Sequence, residues 1–148
     1  MIEFDFVIRQ DDPVRPSVAV DIEDADDIDP EVDRAFREKL WKTQTYNGLL
    51  FTKNKIAIYE DLLQKDDPST YTFKVVPTRE VLQSTNRGDP HLEVLQHYRP
   101  LIARWLETLI ENWNTAIPPQ FSEEFFGVIP AAAEGKLEPC SLAEDLTE

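Results

Sequence analysis

Three patterns in succession between residues 17 and 59 constrain this chain more than anything else in it. Ser17-Val18-Ala19-Val20-Asp21-Ile22-Glu23 alternates with period two, so Val18, Val20 and Ile22 share one strand face and Ala19, Asp21 and Glu23 the other. Asp29-Pro30-Glu31 then opens a helix. Asp29 can cap it, Pro30 suits its first position, and Glu31 and Asp33 face its positive end. Val32, Ala35, Phe36 and Leu40 follow at helical spacing, with Lys39 and Lys42 towards the C-terminal end, and the helix should stop near Tyr46-Asn47-Gly48. Leu49-Leu50-Phe51 reads as a buried strand, Lys53-Asn54 as a turn, and Ile56-Ala57-Ile58-Tyr59 as the returning strand. The expected class is α/β, with α+β as the alternative: a central mixed sheet of about five strands flanked by helices.

The flanking sequence extends this pattern. Residues 2–8 set Ile2, Phe4, Phe6 and Ile8 against Glu3, Asp5 and Val7, a further half-buried strand, and Gln10-Asp11-Asp12-Pro13 reads as a turn. Tyr71 to Val76 is another strand. Thr78 caps a short helix through Val81 and Leu82 that ends at Asn86-Arg87-Gly88. Asp89-Pro90 repeats the cap-plus-proline start. From there Leu92, Leu95, Tyr98, Ile102, Trp105, Leu106, Leu109, Ile110 and Trp113 predict a long C-terminal helix, kinked or divided at Pro100. Residues 1–117 then form one domain, and residues 118–148 a mostly irregular acidic tail. Within that tail Phe121, Phe125, Phe126, Val128 and Ile129 could pack one short element onto the body.

Charge narrows the function. The 148 residues carry a net charge of −14, and it is unevenly spread. Residues 11–33 hold ten acids against one base, Arg15, and residues 118–148 hold seven acids against Lys136; the remainder is nearly neutral. Binding to phosphate backbones needs clustered Lys and Arg, so the composition argues against nucleic acid as a ligand of the chain alone. The single cysteine, Cys140, excludes an internal disulfide and a cysteine zinc site and fits a reducing compartment. The first residues lack the basic and apolar regions of a signal peptide, and no apolar run approaches the roughly 18 residues of a membrane span. The expected location is the cytoplasm.

The order strand, turn, acid-bearing strand, helix, strand, strand resembles the core of the restriction-endonuclease-like fold, the PD-(D/E)xK nuclease superfamily. The resemblance runs through Asp11-Asp12-Pro13, Ala19-Val20-Asp21-Ile22-Glu23, the helix 30–46, and Gly48-Leu49-Leu50-Phe51-Thr52-Lys53-Asn54-Lys55-Ile56-Ala57-Ile58-Tyr59, covering roughly residues 1–76. It implies a metal-dependent nuclease in which Asp12, Asp21 and Glu23 hold Mg²⁺ and activate water. Oxygen ligands of this kind suit a hard cation, which lowers the pKa of bound water and stabilises charge on a phosphoryl group. Glu23, however, stands where the family places its lysine. In some members that lysine moves to the following helix, where Lys39 or Lys42 could serve.

Plainer readings stand beside this one. Asp21 and Glu23 can simply end a strand in solvent. The alternating Asp27, Asp29, Glu31 and Asp33, with Glu38 at the twelfth place, suggest a calcium loop, but Val32 occupies the place that needs Gly and Pro30 already starts a helix. His91 and His97, six apart, lie on different sides of a helix and make no metal pair. Cys140 sits beside Glu138, which disfavours a thiolate. The preferred expectation is therefore a non-catalytic accessory or protein-interaction module on a nuclease-like core, with no cofactor. The acidic loop 21–33, with Asp24, Asp26 and Asp27 in it, and the acidic tail would meet a basic protein partner. Tyr98, Trp105 and Trp113 widen the helical stripe; aromatics at this spacing are mostly core, and any part of the stripe left over would be an interface, most simply in a two-fold homodimer.

Overall fold

The structure, a computed structural model, describes residues 2–12, 15–61, 67–86, 98–139 and 142–143. Its strands are β1 (Ile2–Glu3), β2 (Phe6–Arg9), β3 (Val18–Ile22), β4 (Asn47–Phe51), β5 (Lys55–Glu60), β6 (Thr72–Pro77), β7 (Lys136–Pro139) and β8 (Leu142–Ala143). Its helices are α1 (Pro30–Lys42), α2 (Thr78–Asn86), α3 (Tyr98–Glu111), α4 (Trp113–Ala116) and α5 (Val128–Ala132). Six strands form one mixed sheet in the order β6-β5-β4-β3-β2-β7, and β1 pairs with β8 in a separate two-stranded ribbon. Only β3 and β4 run parallel within the six-stranded sheet; every other neighbour is antiparallel.

The parallel pair is joined by α1, the crossover that parallel strands require. Asp29 caps this helix by accepting a hydrogen bond from the Val32 N–H at 2.9 Å, Pro30 takes its first position, and Lys39 and Lys42 sit in its last turn. Phe36 and Leu40 press onto Ala19, Leu50, Ala57 and Tyr59 on one sheet face. The opposite face carries Val18, Val20, Leu49, Phe51, Ile56 and Ile58, which α2 to α5 cover through Leu82, Trp105, Leu109 and Val128. Both faces of β3 and β4 are thus buried. Trp105 is fully buried between Phe51 and Phe125, and its indole N–H donates to the Ala116 carbonyl at 2.8 Å.

The structure departs from the sequence expectations in three places. Residues 2–8 are not one continuous strand. The chain breaks at Phe4-Asp5, so Phe4 packs on the α1 side while Phe6 and Ile8 enter the opposite core. Residues 118–139 are not a tail: Phe125, Val128 and Ala132 are fully buried, and β7 adds to the sheet beside β2. Gln10 fixes this return by donating through its amide to the carbonyls of Pro130 and Ala133. The C-terminal helix is also shorter than its stripe. It ends at Glu111, Asn112 leaves helical geometry at φ −156°, and Trp113 is left 39% exposed instead of joining the core. Pro100 falls in the first turn of α3, where its missing N–H costs little. The predicted start at Asp89-Pro90, both histidines, Cys140 and residues 144–148 lie outside the described residues.

Gly48 lets α1 lie close against β4. A Cβ built there would stand 2.7 Å from Leu40 Cδ1 and 2.9 Å from Phe36 Cε2, both in the packed layer. Gly48→Ala is expected to destabilise the protein by about 1–3 kcal/mol through overpacking, read as a lower urea midpoint with an unchanged slope.

Candidate functional site

The register of the β2–β3 pair, Phe6 opposite Val20 and Val7 opposite Ala19, brings Asp5 next to Asp21. The ladder is replaced there by two reciprocal bonds. The Asp5 N–H donates to Asp21 Oδ1 at 3.0 Å, and the Ile22 N–H donates to Asp5 Oδ2 at 2.7 Å. Two cations close the cluster. Lys39, from α1, pairs with Asp21 Oδ2 and lies 4.7 Å from the Phe4 ring centroid. Arg99, from the start of α3, meets Asp5 Oδ1 at 2.9 Å and the Asp5 carbonyl at 3.0 Å, with its guanidinium 4.6 Å from the Phe6 ring. The change of face at Asp5 produces this arrangement, since it directs Phe4 towards Lys39 and Phe6 towards Arg99.

These bonds decide how Asp21 behaves. Burial pushes its carboxyl above the usual aspartate range, opposed by the charge and hydrogen bond of Lys39 and by the Asp5 N–H. Both carboxylate oxygens have protein partners. Asp21 is a strut.

The other predicted site residues do not converge on it. Asp12 lies beyond the far end of β2, where its Oδ1 accepts from the Arg15 N–H at 3.1 Å, and it lines a shallow pocket of about 390 Å³ with Gln10, Arg15, Tyr46 and Asn47. Arg9, the end of β2, is already about 13 Å from Asp5 along the strand. Glu23 sits past the end of β3, exposed, with its N–H donating to the Phe51 carbonyl. Lys42 pairs with Glu38 on the α1 surface. Among the described residues no group of three His, Cys, Asp or Glu side chains could hold a metal ion. The triad Asp12, Asp21 and Glu23 therefore does not fit Mg²⁺. Of the proposed catalytic set, only Asp21 and Lys39 come together.

The acidic segment after β3 is ordered by backbone bonds. Lys53 N–H donates to the Ala25 carbonyl and Asn54 N–H to the Asp26 carbonyl, each at 3.0 Å, which fastens the loop to the β4–β5 turn. Glu23, Asp24, Asp26, Asp27, Asp29 and Glu31 are exposed along it. Beside it, Asp33 faces inward and holds Arg37 at 2.9 Å and the Tyr59 hydroxyl at 2.7 Å. Burial, reinforced by Asp33, keeps that phenol well above its ordinary range and so a lasting donor. Asp5 and Arg99 escaped sequence reasoning because alternation hid the break in residues 2–8, and the pairing of Arg99 with Asp5 spans most of the chain.

No family model, curated protein or solved structure matches this chain. No helix among the described residues is long and apolar enough to cross a membrane.

Because its native carboxyl titrates above the unfolded one, Asp21 adds stability that is fully present at low pH and is lost as pH rises through the raised native value. Asp21→Asn should therefore gain on the wild type as pH rises from about 4 to neutrality, in urea unfolding at several pH values. A wild type that gains on the variant over this range would show that Lys39 outweighs burial. Asp5→Ala should cost about 1–3 kcal/mol, since it strips a partner from both the Ile22 N–H and Arg99.

Proposed function

We propose that this protein is a non-catalytic interaction module whose acidic loop, residues 23–31, engages a basic partner protein. One observation carries the reading: the acids divide by direction. Asp21 is turned inward and committed to Lys39 and the Asp5 N–H. Asp24, Asp26 and Asp27 are turned outward on a loop that backbone bonds already hold in place. A fixed display of like charge attracts a complementary partner without a large ordering cost and steers its approach. The same field repels phosphate backbones, so the ligand class is protein.

A metal-dependent nuclease is the second reading, favoured by Lys39 lying beside Asp21 and by the helix that joins the parallel strands β3 and β4. It has to find its ligands without Asp12.

Calorimetric titration with an oligolysine nonapeptide tests the first reading. Replacing Asp24, Asp26 and Asp27 together by Asn should weaken binding about tenfold. The same charge change at the exposed Glu107, Glu111 and Glu123, as Gln, should weaken it less than about threefold. Equal losses would remove the acidic loop as a site. Saturable Mg²⁺ or Mn²⁺ binding at millimolar concentration that Asp21→Ala abolishes, with cleavage of DNA, would replace the module by the nuclease.

A further inference from the structure

Among the described residues the sheet ends at β6, which pairs only with β5, so every second residue turns its N–H and C=O away from the sheet. Two apolar side chains on its α1-side face stay half-exposed, Phe73 at 46% and Val75 at 47%. Phe73 is nevertheless held. It stacks on the buried Tyr59 at 5.7 Å between ring centroids, and the Arg37 guanidinium lies 5.0 Å from its ring. These two residues form the floor of a groove of about 470 Å³ whose wall is the start of α1 and the loop before it. Asp27, Asp29 and Asp33 line that wall, with Lys55 the one base in the lining. β6 carries two edge guards of its own, Lys74 on the opposite face and Pro77 at its end, and neither covers the face of Phe73 and Val75.

We infer that β6 is a strand-addition site, and that the basic partner binds as an extended segment pairing with the β6 backbone. It would set apolar side chains on Phe73 and Val75 and Lys or Arg side chains towards Asp27 and Asp29. This rests on the interaction reading and names the partner's chemistry. Strand addition takes affinity from main-chain hydrogen bonds and selectivity from alternate side chains. Here the alternate side chains reach an apolar floor under an acidic wall, which selects an apolar-and-basic strand. A second copy of this chain fits the same edge poorly, because pairing β6 with β6 would bring two acidic loops together on a molecule of net charge −14.

The probe is the nonapeptide Thr-Lys-Thr-Val-Thr-Val-Thr-Lys-Thr, whose Val and Lys side chains fall on one face of a strand. It is titrated into the full chain and followed by amide chemical shifts and calorimetry. It should bind at least about tenfold more tightly than oligolysine and shift the amides of β6. Two further peptides carry backbone N-methyl groups either on the Val and Lys residues or on the Thr residues. Only one set faces β6, so one peptide should lose about tenfold or more and the other less than about threefold. Phe73→Ser and Val75→Ser should each weaken the parent peptide by about tenfold. Val75→Ser touches little else, so it reads the groove even if Phe73→Ser disturbs Tyr59. A parent peptide no tighter than oligolysine, or an N-methyl pair of equal affinity, overturns the strand site and leaves the acidic-loop reading standing. Loss of oligolysine binding as well overturns both. A dimer in analytical ultracentrifugation that Val75→Ser dissolves assigns the edge to a second copy and overturns the peptide occupant.

Discussion

The parallel pairing of β3 with β4 is the constraint on which the remaining architecture depends. Two parallel neighbours cannot be joined by a tight turn, so the chain must leave the sheet after Ile22, cross one face as α1, and re-enter at Asn47. That crossover covers one side of the sheet through Phe36 and Leu40, and α2 to α5 cover the other. With both faces occupied, the central strands become apolar on both sides, as Val18–Val20 and Leu49–Phe51 are. The exit from β3 also fixes the place of the acidic loop. It emerges at the C-terminal ends of β3 and β4, the end of a parallel pair where α/β folds carry their binding loops.

The break at Asp5 is the second decision made by the fold. A regular strand through residues 2–8 would set Ile2, Phe4, Phe6 and Ile8 in one core. By reversing the phase at a single residue, the chain supplies Phe4 to the α1 layer and Phe6 to the opposite layer. The reversal leaves backbone groups without ladder partners, and two aspartates satisfy them: Asp21 takes the Asp5 N–H, and Asp5 takes the Ile22 N–H. Two carboxylates so close would repel one another unless neutralised. Lys39 and Arg99 neutralise them from opposite faces of the sheet, which ties both helical layers to one point.

Local chemistry made much of this legible in the sequence. Asp29-Pro30 announces α1, period-two alternation gives β3 its correct faces, and Lys53-Asn54 marks the β4–β5 turn. What could not be read depends on contacts far apart in the chain. Lys136-Leu137-Glu138-Pro139 has no alternation worth the name, yet β2 supplies a backbone ladder that orders it, and Arg9 meets Glu138 across the pair. The small side chains of Ala131 and Ala132 look too weak to fold, but Ala132 is fully buried in the core under the sheet and Ala131 packs against it. The candidate site was half visible for the same reason. Asp21 and Lys39 lie within β3 and α1, elements the sequence outlines, whereas choosing Asp5 over Asp12 as the neighbour of Asp21 requires the β2–β3 register, which only the folded sheet defines.

Burial, more than the count of acids, sorts the charge of this molecule. Asp5, Asp21 and Asp33 are turned inward and each meets a cation, Arg99, Lys39 and Arg37 respectively. The acids from Glu23 to Glu31 stay exposed and in fixed positions. Among the described residues the sheet edge at β6 lies next to such a surface. Most edges are blunted by their own lysines, prolines or bulges. On the strand-addition proposal the neighbouring loop would add to the protection given by Lys74 and Pro77, since any second copy arriving at β6 brings the same negative field with it. On the same proposal that guard would repel self-pairing while leaving the edge open to a strand of opposite charge, so that a single cluster of carboxylates would set both what the edge refuses and what it accepts.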